Sequence, residues 1–362
     1  MPMDFALFYE IPVARPWGPR SEYDAYRQVV EQAVLADELG FHSFWTVEHH
    51  FLEEFSHCSA PESLYGMIAA RTRNMRIGHG VRLLPFPYNH PVRAAESAAV
   101  LDLLCDGRLE FGTGRSSQYE QAGFEIDTEL SRDMWQESLE IVPRMWTEDP
   151  FEHQGRFVTI PPRTIVPKPL QKPHPPMWMA ATSPQSWELA GRNGIGILGL
   201  TIFVSVPQLQ ERVRAYRQAL TTAKPVGKFI NDRAATFTMV HCAETNKEAR
   251  ENAKHAFEWY ARKAFDTVAS VGIWQSGKTD MGTYDYLKQM MNVDPATINF
   301  DYMDQNDMII CGDPDTCIRK VKRYQEAGCQ QLLCFMQIYD IPHQKVMDSI
   351  KLWGKHVIPY FK

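Results

Sequence analysis

The chain has 362 residues, of which 44% are hydrophobic and 23% are charged, the proportions of an ordinary globular protein. Its 38 basic and 44 acidic residues give a formal net charge of −6, so the basic face that nucleic acid requires is not expected. No apolar run reaches the roughly 18 residues of a membrane span, and the first residues do not have the pattern of a secretory signal.

The seven cysteines are too few and too irregularly spaced for a disulfide framework, and no CxxC pair is present. We therefore expect reduced, buried thiols in a cytoplasmic protein that does not interact with membranes.

Short apolar runs alternate with longer segments in which apolar residues recur every three or four positions. The short runs predict eight buried strands, at residues 5–9, 43–47, 75–81, 108–112, 177–180, 195–200, 235–241 and 331–336. The longer segments predict helices at residues 23–39, 61–71, 90–104, 131–146, 184–192, 206–220 and 342–356, and a further helix that begins near Pro314. Eight such units predict a parallel (β/α)8 or TIM barrel, with a doubly wound open sheet as the alternative.

Two stretches do not fit a minimal barrel. Residues 147–176 are rich in proline and predict an extended surface excursion. Residues 265–306 are polar and contain scattered glycines and aromatic residues, which predicts an ordered insertion or lid. We interpret residues 1–362 as a single barrel domain with these two insertions.

Reactive groups of a TIM barrel lie where the strands end, so the residues at the strand ends are the candidates for an active site. The second strand ends in Glu48-His49-His50, and successive side chains of a strand point to opposite faces. A metal site would need further ligands, for which only His79 is a candidate, and no metal is expected. The sequence favours one histidine that acts as acid or base, while the alternative is a structural pair bonded to Glu48.

The third strand ends with Gly78-His79-Gly80-Val81. Its two glycines allow a flat ring to approach the backbone or permit an unusual peptide conformation. A β-bulge in the barrel wall is the alternative.

Arginines and hydroxyls near the fourth and fifth strands predict an anion site. Arg115 follows a glycine-rich segment that matches the dinucleotide fingerprint only weakly, and Arg132 opens a helix. Ser183 and Ser186 lie at the predicted start of another helix, whose free N–H groups are a natural seat for phosphate. Together these residues predict a phosphorylated cofactor.

Several segments together resemble the bacterial luciferase-like flavin monooxygenases. They are WTVEHHF at 45–51, HPVR at 90–93, DGR at 106–108, FGTGR at 111–115, ATSPQS at 181–186 and VIPY at 357–360. The resemblance extends over essentially the whole chain and implies a TIM barrel.

The resemblance also implies roles for individual residues. His49 matches an active-site histidine beside the flavin, proposed as a catalytic base. Gly80 and Val81 match a non-prolyl cis peptide under the isoalloxazine ring. The positions that hold the phosphate of FMN are matched by Arg115, Arg132, Ser183 and Ser186. Luciferases carry a reactive cysteine at the position of Gly114, so light emission is not expected here.

The function implied is an FMNH2-dependent monooxygenase that inserts one oxygen atom from O2 into a small organic substrate through a C4a-(hydro)peroxyflavin. No nicotinamide motif is recognisable, so a separate NAD(P)H:flavin reductase is expected to supply diffusing FMNH2. The alternatives are a hydride-transfer enzyme that uses coenzyme F420, over which the His49-His50 pair favours FMN, and a non-catalytic flavin-binding subunit.

The predicted helix at residues 90–104 carries four small residues on neighbouring turns, Ala94, Ala95, Ala98 and Ala99. They indicate either a close helix contact in a homodimer or tight packing on the barrel of the same chain. The resemblance favours a homodimer.

Overall fold

The computed structural model describes residues 2–200, 204–275 and 298–362. The strands in this part of the chain are β1 (Asp4–Tyr9), β2 (Ser43–Thr46), β3 (Arg76–His79), β4 (Arg82–Leu83), β5 (Leu109–Gly114), β6 (Phe151–Gln154), β7 (Thr159–Arg163), β8 (Met177–Ala181), β9 (Gly196–Leu200), β10 (Ala234–Cys242), β11 (Ile310–Gly312) and β12 (Gln331–Phe335).

The helices in the same residues are α1 (Ser21–Glu38), α2 (Pro61–Arg71), α3 (Pro91–Leu104), α4 (Gln118–Gly123), α5 (Ser131–Thr147), α6 (Pro184–Arg192), α7 (Val206–Leu220), α8 (Asn246–Gln275), α9 (Phe300–Gln305), α10 (Pro314–Glu326), α11 (His343–Leu352) and α12 (Ile358–Phe361). A π-helical turn, Trp353–Val357, joins the last two.

Eight parallel strands close into a barrel in the order β1-β2-β3-β5-β8-β9-β10-β12, and β12 pairs with β1 to complete the ring. The predicted (β/α)8 barrel is therefore confirmed, and the open doubly wound sheet is wrong. Each predicted barrel strand lies within two residues of an observed one. The strands were recognisable because helices cover the outside of the barrel and side chains fill its inside, which leaves their sequences continuously apolar.

The floor of the barrel, at the amino ends of the strands, holds a closed ionic cluster. Glu110 is buried near the start of β5 and accepts hydrogen bonds on both oxygens, from Arg76 on Oε1 and from Trp178 at 2.6 Å on Oε2. Arg76 donates further bonds to the Leu109 carbonyl and the Gln171 side chain, each at 3.0 Å. This cluster ties three neighbouring strands and the chain segment before β8 together.

The proline-rich excursion contains an antiparallel hairpin of β6 and β7 that the sequence did not predict. Pro161 and Pro162 lie within β7, and proline usually argues against a strand because it cannot donate to a neighbour. In a two-stranded ribbon each strand has one edge without a partner strand, so prolines are tolerated there.

The predicted lid at residues 265–306 begins and ends in helix. Helix α8 extends to Gln275, and α9 spans Phe300–Gln305. Residues 276–297 lie outside the described residues, so the lid stays a prediction.

The four alanines of α3, Ala94, Ala95, Ala98 and Ala99, are fully buried within their own chain. Their small size lets α3 pack closely on the barrel wall, and a dimer contact through them is wrong. The outer side of α3 instead exposes Val100, Leu103 and Leu104.

All seven cysteines are buried free thiols. Within the described residues, no helix has both the length and the apolar character that crossing a membrane requires.

Candidate active site

The turns after β1, β2 and β5 each hold a non-glycine residue in the left-handed region of backbone conformation. These residues are Ile11 with φ of 56°, Phe51 with φ of 63° and Ser116 with φ of 66°. Such a conformation is costly for a side chain with a Cβ, and most of all for a β-branched residue such as isoleucine. A residue keeps this conformation only where the surrounding structure holds it there, and such residues are concentrated at functional sites. The three turns lie at the carboxyl end of the barrel, called the mouth below.

His49 lies in the turn after β2 and contacts a carboxylate that sequence analysis missed. Its Nδ1 lies 2.9 Å from Oε1 of Glu120, which is completely buried, whereas a quarter of the His49 side chain is exposed. Glu120 also accepts hydrogen bonds from the His50 backbone N–H at 2.8 Å and from the Ser117 hydroxyl at 2.8 Å. The Ser117-x-x-Glu120 spacing is a capping box at the start of α4, and this signal in the sequence could have revealed the carboxylate.

The charges of His49 and Glu120 stabilise each other. Burial opposes protonation of the imidazole, but Glu120, with smaller contributions from Glu10 and Glu48, outweighs it and raises the pKa of His49 from 6.5 to about 9. Burial likewise opposes ionisation of Glu120, yet His49 and the hydrogen bonds lower its pKa from 4.5 to about 2. At neutral pH the pair is therefore imidazolium and carboxylate, so His49 is equipped to donate a proton rather than to accept one.

A second carboxyl group, Glu10, lies directly after β1 and is 5% exposed. Its Oε1 accepts a hydrogen bond of 2.9 Å from the hydroxyl of Tyr260 on α8. Sequence analysis missed both residues, although Glu10 occupies the end of the first strand, where barrel chemistry is expected.

The two adjacent histidines have different surroundings. The His50 ring stacks at 5.9 Å on Tyr88 and meets Phe124 edge-on at 4.7 Å. Its Nε2 lies 3.7 Å from Glu48, too far for a hydrogen bond, so the alternative of a histidine pair bonded to Glu48 is wrong. We interpret His50 as a packing residue.

His79, the other candidate metal ligand, is 4% exposed and packs against the rings of Tyr65 and Phe111. Burial, reinforced by Arg82, lowers its pKa to about 3, so it stays neutral. Among residues 2–200, 204–275 and 298–362, no three His, Cys, Asp or Glu side chains are grouped so that they could hold a metal ion.

The peptide bond between Gly80 and Val81 is cis, the geometry that the resemblance implies, while its contact with a flavin stays a prediction. A Cβ on Gly80 would lie 3.3 Å from the Thr46 carbonyl and 3.4 Å from the Phe8 ring. A Cβ on Gly114 would lie only 2.4 Å from Cγ2 of Val81. Val81 thus occupies the space that the cysteine of luciferases would need at residue 114.

The predicted phosphate-binding residues form two groups. Arg115 donates a hydrogen bond of 3.1 Å to the hydroxyl of Ser131, the neighbour of Arg132 in α5. The hydroxyls of Ser183 and Ser186 lie 2.8 Å apart at the start of α6, where Ser183 is the N-cap.

The strands β5 and β8 that lead to these two groups are paired, with Thr113 opposite Met179. Both groups therefore follow adjacent strands at the mouth, and their convergence on one phosphate stays a prediction. Arg212 of α7, which sequence analysis did not single out, donates a hydrogen bond of 2.9 Å to the Thr182 carbonyl and adds a cation beside Ser183.

The chain is 33% identical over 198 residues to the oxygenase component of a flavin-dependent trigonelline monooxygenase from Acinetobacter baylyi, a match that covers 54% of this chain and about half (53%) of that protein. It is 31% identical over 268 residues to limonene 1,2-monooxygenase from Rhodococcus erythropolis, covering 70% of this chain and 64% of that protein.

Among solved structures, monooxygenase RslO1 from Streptomyces bottropensis has a TM-score of 0.81 at 27% identity, covering 99% of this chain and 100% of that one. The oxygenating constituent of 3,6-diketocamphane monooxygenase from Pseudomonas putida, in complex with FMN, shares the fold with a TM-score of 0.77 at 24% identity and covers 99% of both chains. An F420-dependent secondary alcohol dehydrogenase shares it with a TM-score of 0.74 at 19% identity and covers 100% of both.

The profile of one protein family, described as luciferase-like monooxygenase, matches residues 3–331 of the chain. The match spans seven of the eight barrel strands, ends at the first residue of β12, and includes both groups of residues at the mouth. It confirms the family that the motifs around His49 and Arg115 predicted, and the chain belongs to the luciferase-like monooxygenase family.

Proposed function

We propose that this protein is an FMNH2-dependent monooxygenase that inserts one oxygen atom from O2 into a small organic substrate. The observation that carries the proposal is the arrangement at the mouth, where the His49–Glu120 ion pair and the hydroxyl and guanidinium groups follow neighbouring strands. The similarity to a flavin-dependent trigonelline monooxygenase and to limonene 1,2-monooxygenase supports it.

The residues present fit a phosphorylated flavin. Ser183 and Ser186 are buried hydroxyls at a helix N-terminus, and Arg115 and Arg132 supply the cations that a doubly charged phosphate favours. The cis peptide of Gly80 and Val81 lies at the end of β3, where the resemblance implies contact with a flat ring. These residues would hold FMN, which when bound supplies the redox chemistry with O2.

The protein's own part in the reaction is to place a proton and to exclude water. His49 keeps its proton at neutral pH because Glu120 balances its charge, so it would donate a hydrogen bond or a proton to the group that becomes negative. Phe8, whose ring contacts those of Phe237 and Phe335 inside the barrel, keeps the space next to Gly80 apolar. A dry mouth would limit the unproductive release of hydrogen peroxide.

We further propose that a separate NAD(P)H:flavin reductase delivers the reduced flavin. The trigonelline relative is named as the oxygenase component of its enzyme, which supports a division of labour between two proteins. The relatives act on chemically different small molecules, so the proposal extends to the reaction and not to one substrate.

A homodimer is also proposed, now through the outer side of α2 and α3. Met67, Val100, Leu103 and Leu104 are 42–65% exposed there, an apolar surface of the kind that protein partners cover. Sedimentation velocity over a range of protein concentrations distinguishes a dimer from a monomer.

Arg115→Ala tests the proposed cofactor site. Because the variant removes a charge-assisted contact to the phosphate, we expect the Kd for FMN to rise about 10- to 100-fold in a fluorescence titration. Arg192→Ala is the matched control, since Arg192 lies at the far end of α6 and pairs with Glu188 on the surface. Equal affinities of both variants would remove Arg115 from the site.

The same wild-type preparation separates FMN from coenzyme F420. The proposal expects O2 consumption that depends on FMNH2 and is coupled to loss of an organic substrate. Hydride transfer from reduced F420 without O2 consumption would contradict it.

A further inference from the structure

Glu10 is held rigidly at the mouth. Its backbone carbonyl accepts a hydrogen bond of 2.6 Å from the hydroxyl of Ser56, and the next residue, Ile11, has φ of 56°. The Ile11 carbonyl in turn accepts the backbone N–H of His57 at 3.0 Å. Hydrogen bonds from the segment after β2 thus fix the backbone of Glu10 and Ile11 in place.

The Glu10 carboxyl group is only half satisfied. Oε1 accepts the Tyr260 hydroxyl, whereas Oε2 is buried and has no hydrogen-bond partner among the residues that the structure describes. Tyr260 cannot turn away to serve both oxygens, because its ring stacks on Phe55 at 4.9 Å and meets Phe335 edge-on at 5.1 Å. Burying a polar atom without a hydrogen-bond partner lowers the stability of the fold, unless a bound ligand supplies the partner.

The charged groups around Glu10 do not provide a counter-ion for it. From the turn after β2, His49 attracts the carboxylate but is already paired with Glu120, which repels it from α4. Lys263, one turn beyond Tyr260 on α8, lies 3.9 Å from Glu54. Burial, opposed by His49 and Tyr260 and assisted by Glu120, raises the pKa of Glu10 from 4.5 to about 7. Glu10 therefore holds a proton more readily than an exposed carboxyl group does.

We propose that Glu10 acts at the mouth as a neutral carboxylic acid whose Oε2–H donates a hydrogen bond to a carbonyl oxygen of a bound ligand. That carbonyl belongs either to the flavin ring or to the organic substrate. The inference rests on the proposed function for one point, that a flavin and an organic substrate bind at the mouth. Tyr260 is the positioning residue, since it holds Oε1 and leaves Oε2 as the atom that carries the proton.

Infrared difference spectroscopy of the full-length protein tests this directly, since a protonated carboxyl group has its own C=O stretch. Titration through pH 7 is expected to remove one such band in the wild type, with a midpoint near the pKa of about 7. Glu10→Gln should lack the band, and Glu140→Gln, which changes an exposed residue of α5, should keep it. Tyr260→Phe should move the midpoint upward, because the Tyr260 hydrogen bond lowers this pKa.

Two further arms identify the source of the carbonyl. A shift of the Glu10 band on addition of FMN alone assigns the hydrogen bond to the flavin. A shift only with cyclohexanone, benzaldehyde or decanal, each added with and without FMN, assigns it to the substrate. A band that survives in Glu10→Gln, or one that none of these ligands moves, overturns the inference. Failure of the wild type to bind FMN in the fluorescence titration would instead count against the proposed function, since the band is read without flavin.

Discussion

The barrel carries a buried glutamate at each end, and the two are satisfied very differently. At the floor, Glu110 has partners on both oxygens, Arg76 and the indole of Trp178. At the mouth, Glu10 has one partner, Tyr260, and its second oxygen has none among the described residues. Both carboxyl groups are about 95% buried, so exposure to water does not account for the difference.

Glu110 at the floor thus belongs to a structural ion pair, whereas Glu10 at the mouth has an oxygen that is left for a ligand. Both oxygens of Glu110 are used, and a satisfied buried hydrogen-bond network makes the structure rigid and specific. The mouth keeps an unsatisfied carboxyl group and a charged imidazole within one cluster, at the end of the barrel where chemistry is located in this fold. Substitutions at the two ends are therefore expected to affect different properties.

Glu110→Ala is expected to have the largest effect, and that effect is on stability. The substitution leaves Arg76 without its carboxylate partner in a mostly buried position, which costs about 3–5 kcal/mol. Urea unfolding measures the loss, and the affinity for FMN of the protein that remains folded should not change. A loss below about 1 kcal/mol would show that the floor is not the structural ion pair described above.

His49→Ala is expected to have its effect on turnover. Removing a positioned proton donor typically slows the reaction about 100-fold, whereas FMN should still bind because the proposed phosphate site does not include His49. Substrate oxygenation by the variant is compared with that of the wild type, and the FMN titration serves as the control. Unchanged turnover would remove His49 from the mechanism.

Glu120→Gln is expected to have a smaller effect that depends on pH. The raised pKa of His49 stabilises the fold fully below pH 6.5, and this contribution is lost as the pH rises through about 9. The lowered pKa of Glu120 stabilises it above pH 4.5, and this contribution is lost as the pH falls towards 2. The difference in unfolding free energy between wild type and variant should therefore be greatest between pH 4.5 and 6.5, at about 2 kcal/mol.

That difference should shrink steadily towards pH 9. A difference that does not change with pH would mean that His49 is neutral in the wild type. The mouth would then hold a neutral hydrogen-bonded pair, and the proton-donor role of His49 would have to be abandoned.

The barrel was predictable because its strands obey local rules. Runs such as residues 331–336 are apolar on both faces and are bounded by helices with regular apolar spacing. The hairpin of β6 and β7 was missed because β7 contains two prolines, which usually argue against a strand but are tolerated in one that has a partner on a single side. The dimer interpretation of α3 was wrong because small residues indicate close packing without saying which surface they meet.

The order of residues along the chain was sufficient to place His49, Gly80, Arg115 and Ser183 at the ends of barrel strands, since each lies at the end of a short apolar run or directly after one. The cis geometry of the Gly80–Val81 peptide was implied only by the family resemblance. The order of residues could not indicate that His49 contacts Glu120, 71 positions away, or that Glu10 contacts Tyr260, 250 positions away. Those contacts exist only after the barrel closes and brings separate strand ends and α8 together. Burial and charge pairing depend on distances in space, so only the folded chain decides which of these groups carries the proton.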